Sequence, residues 1–128
     1  MEESKILRKK ARNYFILAKI GESLNMFSES ASNYFKSLSA VNDFILSKIN
    51  LKPKDHKERF FMLKENFSEF YKITSSLFNV YRRTYTSELN KEELLRLRKR
   101  VEEAFKNAEI EIPNDSEIEK ETERILKK

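Results

Sequence analysis

Cysteine and tryptophan are absent from this 128-residue chain, and it holds one histidine, one glycine and two prolines. Without cysteine there is no disulfide, no thiolate nucleophile and no cysteine-ligated metal. With a single histidine, a zinc site would have to rest on carboxylates, a poor ligand set for zinc. No metal or other cofactor is expected. Sheets need turns, and turns draw on Gly, Pro and Asn, so the inventory argues against a sheet-rich fold. No apolar run approaches the roughly 20 residues that cross a bilayer. The opening MEESKILRKK lacks the apolar stretch of a secretory signal. The expectation is a cytoplasmic protein without a membrane span.

What is present is charge and aromatic bulk. Charged residues make up 37% of the chain and interleave with Leu, Ile and Phe, the composition of amphipathic helices. Ten Phe and five Tyr are ample for a helical core. The length suits one domain. The net charge of +5 is uneven: residues 1–108 carry 22 Lys and Arg against 14 Asp and Glu (+8), and residues 109–128 carry 4 against 7 (−3). A basic body followed by an acidic tail is compatible with nucleic-acid contact on the body. A merely solvated surface explains the same numbers.

Apolar spacing predicts the helices. Leu7, Ala11, Tyr14, Ala18 and Gly21 share a face between about Ser4 and Leu24. Gly21 marks either a close helix approach or the helix end, because glycine inside a helix costs about 1 kcal/mol relative to alanine. A second helix starts near Ser28 or Ser30, with either serine as its cap. Its stripe is Ala31, Tyr34, Phe35, Leu38, Val41, Ile45 and Ile49, and Pro53 stops it before Lys52. Asp55 caps a third helix to about Tyr71, with Glu58 at the capping-box position. A fourth runs from Ile73 to Tyr85 and is either separate from the third or continuous with it through a bend. Asn90 to Glu93 has capping-box spacing and opens a fifth, to about Ala108. Ser116 to Glu119 has it again and opens a short helix with a thin stripe of Ile118, Thr122 and Ile125. The expected fold is all-α: an up-and-down antiparallel bundle of four to five main helices over residues 1–108, then a short helix in an acidic tail over 109–128.

Four features in order resemble the HEPN family (higher eukaryotes and prokaryotes nucleotide-binding domain), in its small single-domain prokaryotic and archaeal form. An Ala- and Leu-bearing first helix is followed by the aromatic pair Tyr34-Phe35, the turn Pro53-Lys54-Asp55-His56, and Arg82-Arg83-Thr84-Tyr85 at the end of a later helix. The likeness covers roughly residues 5–108. It implies a helical bundle, a homodimer, a small nucleotidyltransferase partner in a toxin–antitoxin system, and nucleotide or RNA as ligand. Nuclease members of the family carry an arginine, then four to six residues, then a histidine. Here Ser87, Glu88, Leu89 and Asn90 occupy the positions of that histidine, and none can act as an imidazole.

The candidate anion or nucleotide site is Arg82, Arg83, Tyr81 and Tyr85. A guanidinium fork matches phosphate, and tyrosines four apart on a helix could stack on a base. The bland alternative is Arg–carboxylate pairing with Glu88 or Glu92 beside core tyrosines. A secondary basic turn holds Lys52, Lys54 and His56, where the alternative is a solvated loop. Arg96, Arg98, Lys99 and Arg100 form the densest basic run, and Glu92 and Glu102 at i±4 spacing favour a self-paired solvent face. The serines of the second helix have no nucleophile-elbow motif and read as small residues that let helices approach. No catalytic residue or metal ligand is assigned. Three readings follow: a non-catalytic HEPN-like bundle acting through a partner, a divergent metal-independent ribonuclease using His56, or a simple basic RNA-binding module.

Overall fold

The computed structural model describes residues 2–127. Six helices follow one another: α1 Glu2–Ser23, α2 Phe27–Ser47, α3 His56–Asn66, α4 Ser68–Arg83, α5 Lys91–Asn107 and α6 Asp115–Leu126. The fold is the expected all-α bundle, and no strand occurs among the described residues. α2 is its axis. It packs against α1, α3, α4 and α5 and buries residues on nearly every side, from Ser28 to Leu46.

α1 and α2 form an antiparallel hairpin whose register can be read from its serines. Ser30 Oγ donates to the Ala18 carbonyl at 2.6 Å, Ser37 Oγ to the Ala11 carbonyl at 2.7 Å, and the Ser4 and Ser47 hydroxyls meet at 3.0 Å. Ser30 and Ser37 lie one heptad apart, as do Ala11 and Ala18, so small residues face each other along one seam. Gly21 continues that seam: a Cβ there would stand 3.4 Å from Ser30 Cβ. The serine-rich α2 thus binds its neighbour's backbone directly. Phe15 and Ile16, outside the expected α1 stripe, are also buried. Phe15 packs edge-on to Tyr34 at 5.2 Å and against Phe105 at 5.3 Å.

Scarcity of glycine is met by other residues at the helix ends. Asn25, Asn50 and Glu109 adopt left-handed backbone angles, with φ near 60°. The next residue in each case returns a long bond: Met26 N–H to the Gly21 carbonyl, Leu51 N–H to Leu46, and Ile110 N–H to Phe105, at 2.9–3.0 Å. This is the Schellman closure, and asparagine is the residue after glycine that best tolerates it.

Several boundaries differ from the sequence reading. α2 begins at Phe27, and neither Ser28 nor Ser30 caps it, because both hydroxyls are engaged elsewhere. It ends at Ser47, which leaves Ile49 43% exposed instead of in the stripe. α3 and α4 are separate helices that meet at Phe67, whose φ of −142° breaks the helical path. α6 is capped by Asn114, whose side chain accepts from Glu117 N–H in a full capping box; Ser116 lies inside the first turn. The box at Asn90 forms where expected, whereas Asp55 caps α3 without a full box: it accepts from Glu58 N–H, but Glu58 accepts from Lys54 N–H and not from the Asp55 amide.

The basic run on α5 is not wholly a self-paired solvent face. Arg98 leaves its own helix and bonds Glu22 of α1 at 2.6 Å, while Arg100 pairs locally with Glu103. Glu22 holds Tyr34 as well, accepting from its hydroxyl at 2.7 Å. α6 lies on α1 and buries no residue. Arg12 holds it, donating to both Glu117 carboxylate oxygens at 2.8 Å and to the Glu111 carbonyl at 2.9 Å. No helix among the described residues is long and apolar enough to cross a membrane.

Candidate functional site

Phe35, on the face of α2 away from the serine seam, organises the region where α4 ends and α3 begins. The stripe Ile73, Leu77 and Tyr81 on α4 brings the Tyr81 ring parallel to Phe35, with centroids 4.3 Å apart and planes 12° apart. His56 is the first residue of α3, fixed by the Asp55 cap. Its ring falls edge-on among Phe35, Phe78 and Tyr81, at 6.0, 5.8 and 6.0 Å. The sequence thus keeps its one histidine against an aromatic cluster, through two elements joined by a long stretch of chain.

Arg59, one turn further along α3, sets the histidine's state. It donates to His56 Nδ1 at 2.9 Å and grips Asp43 of α2 with Nε and Nη2 at 2.7 and 3.1 Å. A guanidinium only donates. Nδ1 must therefore be unprotonated, and the neutral ring carries its hydrogen on Nε2. His56 offers a donor there and not a lone pair. Burial, and then the Arg59 charge, lower the His56 pKa below its ordinary 6.5, against the opposing pull of Asp43 and Asp55. The unfolded chain therefore takes up this proton first as pH falls through 6.5. Stability from this group is complete above that value and declines until the lower folded value is reached. Urea midpoints at about pH 7.5 and 5.5 should fall further apart for the wild type than for His56→Gln. Equal losses would show that His56 titrates as in the unfolded chain.

A cleft of about 310 Å³ opens beside this cluster. Lys10 and Tyr14 of α1 line it, with Lys36, Ser39 and Asp43 of α2, His56 and Tyr81. The Ser39 hydroxyl is buried and has no hydrogen-bond partner. Asp43 brings little free negative charge, since Arg59 engages both of its oxygens. A second groove of about 270 Å³ adjoins along α2, lined by Ser32, Asn33, Lys36, Thr84 and Tyr85 among others. Lys36 lines both.

Tyr81 and Tyr85 join the two hollows. Their hydroxyls lie 2.7 Å apart, and burial together with this bond pushes the Tyr81 pKa up to about 12. Tyr81 is buried, whereas Tyr85 is 71% exposed. The loop that follows is fixed by Ser28, whose hydroxyl donates to the Ser87 carbonyl and accepts from Leu89 N–H, both at 3.0 Å.

A scan against protein-family models finds no matching family, and a search of curated proteins finds no significant match.

The structure divides the residues expected from sequence. Tyr81, Tyr85 and His56 gather at one end of α4. Arg83 turns toward α5 and pairs with Glu93, holding that carboxyl below the usual range; the pairing partner is neither Glu88 nor Glu92. Arg82, Lys52 and Lys54 are exposed and do not line the cleft. Lys10, Lys36, Ser39 and Arg59 were not singled out as a set. Only Arg59 carried a signal, as the arginine one helical turn after the lone histidine. Among the described residues no three His, Asp or Glu side chains gather to hold a metal.

Proposed function

We propose that this chain is a non-catalytic HEPN-like bundle that binds single-stranded RNA across the α2–α4 face. The observation that carries it is the cleft that Lys10, Lys36 and a neutral His56 line together. Two ammonium groups supply charge for a phosphate. Tyr85, exposed at the adjoining groove, supplies the flat surface on which a base stacks. Lys36 lies between the two, where the backbone of a bound strand would run. The homodimer and the nucleotidyltransferase partner belong to the same reading and are supported by the HEPN resemblance. The non-catalytic role is supported by the empty histidine position after Arg82-Arg83 and by the Nε2–H tautomer of His56, which leaves no free nitrogen to take a proton from a 2′-hydroxyl.

Fluorescence anisotropy with a short oligouridylate tests this. Affinity should fall steeply with salt. Tyr85→Ala should weaken binding roughly ten- to a hundredfold, the range of one lost base stack. Lys36→Glu should weaken it and flatten the salt slope. Unchanged affinity in both variants would remove the site. Cleavage of the oligonucleotide in the presence of a chelator would replace this reading with the metal-independent ribonuclease.

A further inference from the structure

α6 is held differently from every other helix: it alone has no buried residue. Ile118 and Thr122 are half-buried, while Ile125 and Leu126 are 46% and 79% exposed. Both its flanks are open. A cleft of about 690 Å³ separates it from the end of α1 and the start of α5, and a groove of about 390 Å³ from the middle of α1. A helix this short is marginal by itself. The bidentate Arg12–Glu117 pair is its principal tether, and ion pairs with partly exposed partners contribute little.

Charge accounts for where it rests. Lys9, Arg12 and Lys19 of α1 flank it. Arg12 pairs with Glu117; Lys19 shares one hollow with Glu119 and Glu123, and Lys9 shares the other with Glu121, which is itself paired with Arg124. Lys10, next to Lys9 in the same helix, lines the His56 cleft. A strand of RNA seated in that cleft and continued along α1 would reach Lys9 and then Arg12, the cation that α6 engages.

We propose that α6 is a reversible acidic strap, which occupies Arg12 of α1 in the free protein and yields it to RNA. This rests on the RNA-binding reading above. In the full chain, Glu117→Gln keeps a side chain able to serve the Asn114 cap but removes the charge that holds Arg12. It should bind oligouridylate up to about fivefold more tightly than the wild type, the range of one partly exposed ion pair. Glu65→Gln, which removes the same charge from the exposed face of α3, should bind as the wild type does. Saturating oligouridylate should also strip hydrogen-exchange protection from the α6 amides of the wild type. The strap is overturned if Glu117→Gln binds no more tightly than Glu65→Gln, or if α6 stays equally protected with RNA bound. Tight binding by Glu117→Gln that ignores Tyr85→Ala would sustain the strap and remove the α2–α4 site. Binding that falls with Tyr85→Ala but ignores Glu117→Gln would do the reverse. No binding by any variant removes both.

Discussion

Phe35→Ala should cost about 3–5 kcal/mol, the range for deleting a fully buried aromatic ring. The side chain is 1% exposed. It makes the stack on Tyr81, the edge contact to His56 and a tilted contact to Phe78, so the void would open where α2, α3 and α4 meet. Domains of this kind hold only about 5–15 kcal/mol in all. Thermal melts followed by circular dichroism should therefore drop by roughly 10–20 °C. Phe35→Leu refills most of the volume and should cost less than half as much. The same change loosens the wall that confines His56, whose pKa, followed by NMR, should move back toward its ordinary value. A melting point within about 2 °C of the wild type would mean that the ring is not the keystone of this region.

Glu22→Ala should have the next largest effect, about 3 kcal/mol. Its carboxylate accepts from Tyr34 and from Arg98, and the Glu22 and Arg98 side chains are only 14% and 20% exposed. Removing the anion leaves a largely buried guanidinium without its counter-charge, and breaking such a pair costs far more than the pair contributes. Arg98 has no slack, since its Nε is already buried without a partner. Tyr34→Phe deletes one hydrogen bond, leaves the ion pair intact, and should cost about 1 kcal/mol. Replacing both charges together, with Glu22→Leu and Arg98→Met, should recover most of the loss. Urea midpoints across the three variants decide this. Equal losses for Glu22→Ala and Tyr34→Phe would show that the ion pair contributes nothing.

The features read correctly from sequence are those encoded within a few residues. The α2 stripe from Ala31 to Ile45 and the caps at Asp55 and Asn90 depend on spacings inside one helix. What escaped depends on partners far along the chain. Ser28 and Ser30 have the chemistry of caps, but their hydroxyls bond residues 59 and 12 positions away. Arg98 has the carboxylate of Glu102 four residues on in sequence, yet Glu22 at 2.6 Å takes its Nη1. The candidate site divides in the same way. Tyr81 and Tyr85 were visible as a pair four apart on a helix, and His56 as the only imidazole. The meeting of His56 with Tyr81 was not visible, because it is set by the Phe35 stack. Lys10 and Lys36 look like any surface lysine until the fold places them on one cleft.

The hairpin of α1 and α2 closes through Leu24, Asn25 and Met26 alone, and its Ser30–Ala18 bond lies close to that turn. So short a loop loses little chain entropy on closing, and contacts this local form quickly. During synthesis, the hairpin has all its parts as soon as Ser47 has left the ribosome. It then waits with one side of α2 uncovered until α4 and α5 arrive. Phe35 and Leu38 face the cell's chaperones in that interval, while the serine seam, already bonded on its inner side, holds the two helices in register.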